Sequence, residues 1–345
     1  AGREDVPVFA GTPDPLVYPA EDAAHVHGRD GFGDVDLPHA ACQVQAEHAA
    51  LAILRLSHQY AGELLLVALG PLTNIALALK LDPTLPQRVK RFLVMGGAIN
   101  GHGNITPVAE FNIAFDPEAA HIVFTSFPHI EVADWEATIA HGMLHRSVET
   151  WLAADSDKAR FYELISRKTR LWSEDSRGEH WYAADALAMA WALQPDGATQ
   201  LEQRPLSIEL TGARTRGATV VDWNRQTGAP DNTTLLVGYD QARFEAQVQR
   251  ALGMIDEQRP QLAFLDFCLA GDEDSTPVAE ALAARGIPFL VATGMEISKL
   301  PAVFDAGVKL AKPYVGSDLR RALSKALPPG RAWLRGPVVF CAQQK

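Results

Sequence analysis

Short apolar runs that alternate with longer helical patterns constrain this chain more than any other feature. "VPVFAG" (6–11), "ELLLVALG" (63–70), "VKRFLVMGG" (89–97) and "HIEVADWEAT" (129–138) each read as a buried strand ending in glycine or polar residues. Between them, "HAACQVQAEHAALAILRLSHQY" and "PLTNIALALKL" carry apolar residues at helical spacing. "DPEAAHIVF" opens with Asp-Pro, a strong helix start. A strand–helix succession of this kind dictates an α/β fold with a mostly parallel, open, Rossmann-like sheet. In such sheets ligands sit beyond the carboxyl ends of the strands.

That rule directs attention to the loops. "GPLTN" follows one strand, "MGGAINGHGNITPVAEFN" follows the next, and "HGRDGFGD" (27–34) precedes both. Together they supply Thr73, Asn74, Met95, Asn104, Glu110 and Asn112, with His27, Asp30 and Asp34 nearby. Amides and carboxylates can each bridge a pair of hydroxyls without bringing a large net charge, so a polyol ligand is expected.

Composition narrows the partners. With 345 residues, two domains are expected, and a net charge of −11 argues against nucleic acid or an anionic membrane as the main partner. A small molecule or another protein remains, with a homo-oligomer as one possibility. Cys42, Cys268 and Cys341 are widely spaced and suggest neither a disulfide framework nor a zinc site, which fits a reducing cytoplasm. No apolar run reaches the roughly 20 residues of a spanning helix. The chain begins with Ala rather than Met, which hints at a processed or truncated start.

The segments "VHGRDGFGD", "LGPLTNIALAL", "MGGA", "GNITPVAEFNIAFDPEAA", "DALAMA" and "RGATVVDW" resemble, in that order, the signatures of the inosine-uridine preferring nucleoside hydrolases, over about residues 1–240. The resemblance implies calcium-dependent hydrolysis of the N-glycosidic bond of ribonucleosides, in purine or pyrimidine salvage. It implies that the Thr73 carbonyl and the Asp185 carboxylate hold Ca2+, that Asn104, Glu110 and Asn112 hold the ribose, that Met95 lines its pocket, and that His27 lies near the substrate. Each residue also has a plainer reading. Asp185 could cap the helix "ALAMAWAL", Thr73 and Asn74 could cap "IALALKL", and Asp116 and Glu118 suit a helix dipole.

Two departures from the family pattern matter. The family opens with an Asp-rich loop, Asp-x-Asp-x-Gly-x-Asp-Asp, which supplies the catalytic base and most calcium carboxylates; none precedes "VPVFAG". Asp30, Asp34 and Asp36 of "RDGFGDVD" are a tempting substitute, but they align with the family's later His-Gly loop. The catalytic base is therefore unknown, and an incomplete calcium site and impaired activity are expected. At position 184 many members carry a histidine that protonates the leaving base, whereas this chain has Ala184 after His180, Trp181 and Tyr182. An aromatic there could stack on a base and Tyr182 could donate a proton, although packing accounts for both. Base specificity stays open.

Beyond about residue 244 the pattern changes, giving expected domains of 1–243 and 244–345. "LAFLDF", "GIPFLVATG" and "GVKLAKPYVG" read as three strands separated by helices, ending at Asp266, Thr293 and Lys312. Carboxylate, hydroxyl and ammonium at adjacent strand ends suit a phosphoryl-accepting site. The segment resembles a flavodoxin-like response-regulator receiver lacking its first strands and the acidic pair that holds Mg2+. The resemblance implies a histidine kinase or another phosphodonor as partner, while Asp272, Glu273 and Asp274 read as a solvated loop. Two readings stand: a nucleoside hydrolase with a receiver-like extension, or a noncatalytic nucleoside- or ribose-binding module joined to a degenerate receiver.

Overall fold

The computed structural model describes residues 6–20, 23–35, 37, 43–252, 263–266, 275–284, 288–293, 297–312, 318, 321–322, 325–326 and 339–341. The chain divides into two compact units, Ala1–Ile255 and Asp256–Lys345.

The first unit is built on a five-stranded sheet. Its strands and those of two small antiparallel pairs are β1 (Leu64–Ala68), β2 (Val89–Met95), β3 (Ile130–Ala133), β4 (Met143–Leu144), β5 (His180–Trp181), β6 (Ala198–Arg204), β7 (Leu206–Ile208), β8 (Thr219–Val221) and β9 (Thr233–Tyr239). The main sheet has the order β1-β2-β3-β9-β6, parallel except for β6, which pairs antiparallel with β9. Strand β4 pairs with β5, and β7 with β8.

Alternation along the strands builds two cores. Phe92 and Val94 of β2 join Ile130, Val132, Leu235 and Phe124 on one face, while Leu93 and Met95 join Ala133, Leu236, Leu187 and Trp191 on the other. Successive side chains of a strand point to opposite faces, so a sheet buried on both sides needs apolar residues at every position. That is why β2 reads as a continuous apolar run after its charged start. Arg91 there forms a two-bonded ion pair with Glu131 of β3 (3.1 and 2.7 Å) and donates to the Ala192 carbonyl, fixing the strands to the helix Ala184–Leu193.

Helix starts follow their caps. Asp116 accepts from Ala119 N (3.0 Å) at the head of Pro117–Ser126, with Pro at the first position. Asp134 accepts from Ala137 N (2.8 Å) and begins Trp135–Ala140. The run expected as one strand over 129–138 is therefore divided: the strand ends at Ala133, because Asp134 captures the next turn. Likewise "VPVFAG" forms a single bridge, Phe9 to Gln45, rather than a strand. The long helical pattern before Tyr60 becomes Ala49–Gln59, with His48 as cap. Helix Gln241–Ala251 stays with the first unit, where Phe244 and Leu252 enter the second core.

The second unit contains β10 (Ala263–Asp266), β11 (Phe289–Thr293), β12 (Val308–Ala311) and β13 (Val339–Cys341) in a fully parallel sheet of order β12-β11-β10-β13. Its buried residues include Phe289, Val291, Leu300 and Phe304. Asp266 pairs in register with Ala292, Thr293 pairs with Ala311, and Lys312 N donates to the Thr293 carbonyl (2.7 Å). Residues 272–274 lie outside the described residues.

His141 ties the helix Trp135–Ala140 to β9. Its Nε2 accepts from Tyr239 N (2.8 Å) and its Nδ1 lies 3.2 Å from Gln241 Oε1, an arrangement that requires a neutral ring protonated on Nδ1. Burial holds its pKa below the usual 6.5, against an opposing pull from the Gln241 hydrogen bond. A histidine with a depressed folded-state pKa contributes stability above its unfolded pKa and loses it as pH falls toward the folded value. In thermal unfolding followed by tryptophan fluorescence, the penalty of His141→Gln should be largest above about pH 7 and shrink on acidification through about 6.5. A penalty that grows toward acid would contradict this assignment.

Candidate active site

The carboxyl end of the first unit's sheet opens into a cavity of about 440 Å³, a volume within the range of small-molecule sites. His27, Met95, Asn104, Glu110, Asn112 and Asp185 all line it. Thr73 is set apart: it lines an adjoining recess that shares His27 and Phe111 with the cavity.

The loop that joins β2 to helix Phe111–Phe115 makes the polar floor. Glu110 is 2% exposed, and its carboxylate accepts from Gly97 N (3.0 Å), Asn112 N (2.9 Å) and Ile113 N (3.3 Å). Burial pushes its carboxyl up to about 7; the three hydrogen bonds oppose that rise and the charge of Asp185 adds to it. Gly97 has φ +87°, and a Cβ there would lie 2.7 Å from Thr219 Cγ2, so only glycine lets the chain pass. Asn104 Oδ1 accepts from Phe111 N (2.8 Å), and Asn112 Nδ2 donates to the Met95 carbonyl (3.1 Å), with Met95 Sδ 3.3 Å away. Each clamp residue thus spends part of its hydrogen-bonding capacity on holding the loop. Among the described residues, Asn104 Nδ2 and Asn112 Oδ1 keep theirs.

The plainer readings separate here. Asp185 is the second residue of helix Ala184–Leu193 and caps nothing; its carboxylate takes no hydrogen bond among the described residues. It is reached by solvent through the cavity, yet the surrounding protein pushes its carboxyl up to about 6. Thr73 does not cap its helix either: its hydroxyl donates to Asp116 Oδ2 (2.7 Å). Asn74 Oδ1 accepts from Thr12 N (2.9 Å). Asp116, capping its helix, and Glu118, paired with Arg216, are structural.

Asp30 and Asp34 do not form a substitute calcium loop. Asp30 Oδ1 accepts from Phe32 N and Asp34 N, closing the turn, and Asp34 accepts from Arg29 N and pairs with Lys168. Asp36 lies outside the described residues. Among the described residues no group of three or more His, Cys, Asp or Glu could hold a metal. The donors that suit calcium are Asp185 and the Thr73 carbonyl, hard oxygens of the right kind but far short of the six to eight that calcium takes. Because the two line adjoining recesses rather than one, they would hold an ion weakly at most.

The rest of the wall is aromatic. Trp135, the first residue of its helix, meets Tyr182 edge-on at 5.9 Å, and Tyr182 stacks on His180 at 6.4 Å. Trp172, Trp181 and Arg177 complete it. Sequence reasoning singled out Trp181 and Tyr182, but not Trp135, Trp172 or Arg177. Trp172 and Arg177 lie on the helix Asp157–Arg177, which packs against the one-turn helix carrying His27, a tertiary contact that no local pattern marks.

Comparisons with known proteins agree with this architecture. Residues 1–246 match the inosine-uridine preferring nucleoside hydrolase family. A pyrimidine-specific ribonucleoside hydrolase, RihA, of Enterobacter sp. (strain 638) is 35% identical over 247 residues, covering 70% of this chain and 77% of the relative. An inosine-uridine preferring nucleoside hydrolase of Crithidia fasciculata is 35% identical over 268 residues, covering 74% and 82%. Among solved structures, a plant nucleoside hydrolase, PpNRh1, superposes with TM-score 0.69 at 26% identity, covering 73% of this chain and 81% of that one. A purine-preferring ribonucleoside hydrolase from Gardnerella vaginalis superposes at 0.67 and 26%, covering 74% and 82%. With its sheet order, its cavity at the strand ends and a family match over most of its length, the chain belongs to the inosine-uridine preferring nucleoside hydrolase family.

Proposed function

We propose that the first unit hydrolyses the N-glycosidic bond of ribonucleosides, giving ribose and free base. The observation that carries this reading is the convergence of His27, Met95, Asn104, Glu110, Asn112 and Asp185 on one cavity with an aromatic wall. Family membership and the activities named for its relatives support it.

Cleavage of an N-riboside passes through an oxocarbenium-like state, which a site favours by gripping the ribose hydroxyls and directing a water at the anomeric carbon. Asn104 Nδ2 is a donor and Asn112 Oδ1 an acceptor for the sugar diol, while Glu110 Oε1, bonded once, retains a lone pair for a hydroxyl. Met95 offers its thioether and methyl to the ring face. Asp185, which takes no hydrogen bond among the described residues, is a group available to take a proton from water or to hold a cation. Calcium dependence is part of the proposal: Asp185 and the Thr73 carbonyl would hold the ion, which would supply positive charge to the site. Weak binding and slow turnover are also part of it, because few carboxylates serve both tasks among the described residues.

Ribose release from inosine and uridine, measured with excess calcium, should be detectable. With no dedicated base among the described residues, it should run about 10²- to 10⁴-fold below ordinary enzyme rates. Asp185→Ala should abolish it; ribose release untouched by that change would sink the assignment. Calorimetry should find calcium bound no tighter than about 10⁻⁴ M, and tight binding that survives Asp185→Ala would remove Asp185 from the ion's ligands.

For the second unit we propose a receiver-type phosphoacceptor role, with Asp266 as acceptor, Thr293 as switch hydroxyl, Lys312 as phosphate contact and Mg2+ as the accompanying ion. The supporting observation is that Asp266 and Thr293 end the neighbouring parallel strands β10 and β11 and Lys312 directly follows β12, at the same edge of the sheet. Intact mass after incubation with a small phosphodonor and Mg2+ should show slow, partial modification that Asp266→Asn removes. Prompt stoichiometric modification would show that a full acidic Mg2+ pair is dispensable, and modification that persists in Asp266→Asn would end the proposal.

A further inference from the structure

Arg177 is the last residue of the helix Asp157–Arg177 and lines the cavity. Its guanidinium carbon lies 4.5 Å from the ring centre of Trp135 and 4.9 Å from that of Trp172. Among the described residues, no carboxylate or carbonyl receives a hydrogen bond from it. Cations in a last helical turn gain from the helix dipole, which explains a basic residue at this position but not its insertion between two indoles. Several arginines of the unit have carboxylate partners, Arg55 with Glu47, Arg216 with Glu118 and Arg225 with Asp231, whereas Arg177 has its two indoles. Burial also lowers the pKa of Arg177 from its ordinary value, the mark of a cation taken partly out of water without a counter-charge.

Stacking on indoles engages the faces of the guanidinium and leaves its in-plane N–H groups unused. Those groups form a fixed fork that suits two acceptors side by side. A cavity that grips a ribose at its polar floor and offers indole walls beside such a fork has the makings of a base site. Of the common bases, the 6-oxopurines present adjacent O6 and N7 acceptors, whereas adenine replaces the first with an amino donor.

On the nucleoside hydrolase reading given above, we propose that Arg177 is a specificity-determining residue that receives 6-oxopurine bases through a two-bonded contact to O6 and N7. The aromatic neighbours hold the fork in place: Trp135 is fixed by its backbone N–H on the Gly97 carbonyl (2.9 Å) and by Tyr182, and Trp172 meets His25 edge-on at 6.2 Å.

The test uses the full chain with free hypoxanthine and adenine, read by calorimetry and by quenching of tryptophan fluorescence, so that it does not depend on turnover. Hypoxanthine should bind at least about 10-fold tighter than adenine. Arg177→Met should remove that preference, and Arg177→Lys should also lose it although the charge is kept. The lysine variant serves as the folded comparison if the methionine variant melts early. Equal affinities in the unaltered chain, or a preference that survives both substitutions, would overturn the proposal. Release of 4-nitrophenolate from 4-nitrophenyl β-riboside tests the hydrolase reading separately, because that leaving group needs no base recognition. Release with no base preference removes Arg177 alone; base preference without release supports Arg177 and removes the hydrolase activity.

Discussion

The carboxylate of Glu110 accepts hydrogen bonds from three backbone N–H groups on two separate segments, and the geometry of the cavity depends on it. Gly97 belongs to the loop that leaves β2; Asn112 and Ile113 open the next helix. Taking those donors out of water without an acceptor would cost about 1–3 kcal/mol each. The carboxylate also bears a burial penalty, which lifts its pKa to about 7. A charge-accepting group in such a place is costly, and what it secures is position: the Asn112 amide, the Met95 carbonyl and the start of helix Phe111–Phe115 are all set by it. The stretch that reads as a sugar clamp is first of all a loop that folds on its own carboxylate and amides.

The other wall obeys different physics. Trp135 comes from one part of the sequence and Trp172, Arg177 and Tyr182 from another, and their side chains meet through ring contacts and cation–π contacts rather than side-chain hydrogen bonds. Such contacts are tolerant of sliding and are worth about 0.5–2 kcal/mol apiece. The cavity therefore combines a hydrogen-bonded polar floor with a wall of packed rings, in which Trp135 is also anchored through its backbone to the Gly97 carbonyl.

Much of this was legible in the sequence because periodicity and caps are local. The runs at 63–70 and 89–97 became β1 and β2, "PLTNIALALKL" became the helix Thr73–Leu81, and Asp-Pro marked the start of Pro117–Ser126. The segments that carry His27, Asn104, Glu110, Asn112 and Asp185 come together at one cavity. What local patterns missed was decided by tertiary contacts. Asp134 reads equally as a strand end or a helix cap until Ile99 N and Ala137 N are seen to share its carboxylate. "VPVFAG" has strand-like composition, but it found one bridge partner instead of a neighbour along its length. The separation of Thr73 from Asp185 and the stacking of Arg177 depend on how helices pack, which spacing along the chain does not encode.

The loop after β2 is also tied to the helix that follows β3. Ile99 N donates to Asp134 Oδ2 (3.0 Å), and Asn100 N, Asn100 Nδ2 and His102 N all donate to Glu136 (2.8, 2.6 and 3.1 Å). Trp135 stands between those two carboxylates, so the rim loop and the indole beside it form one stiff piece. For a ligand, this is a matter of entropy. Ordering a mobile side chain on binding costs about 0.5–1.5 kcal/mol, and here that cost was met when the chain folded. Affinity in this cavity should therefore track how well a molecule fits the existing walls, with little heat-capacity or entropy signature from the protein closing around it.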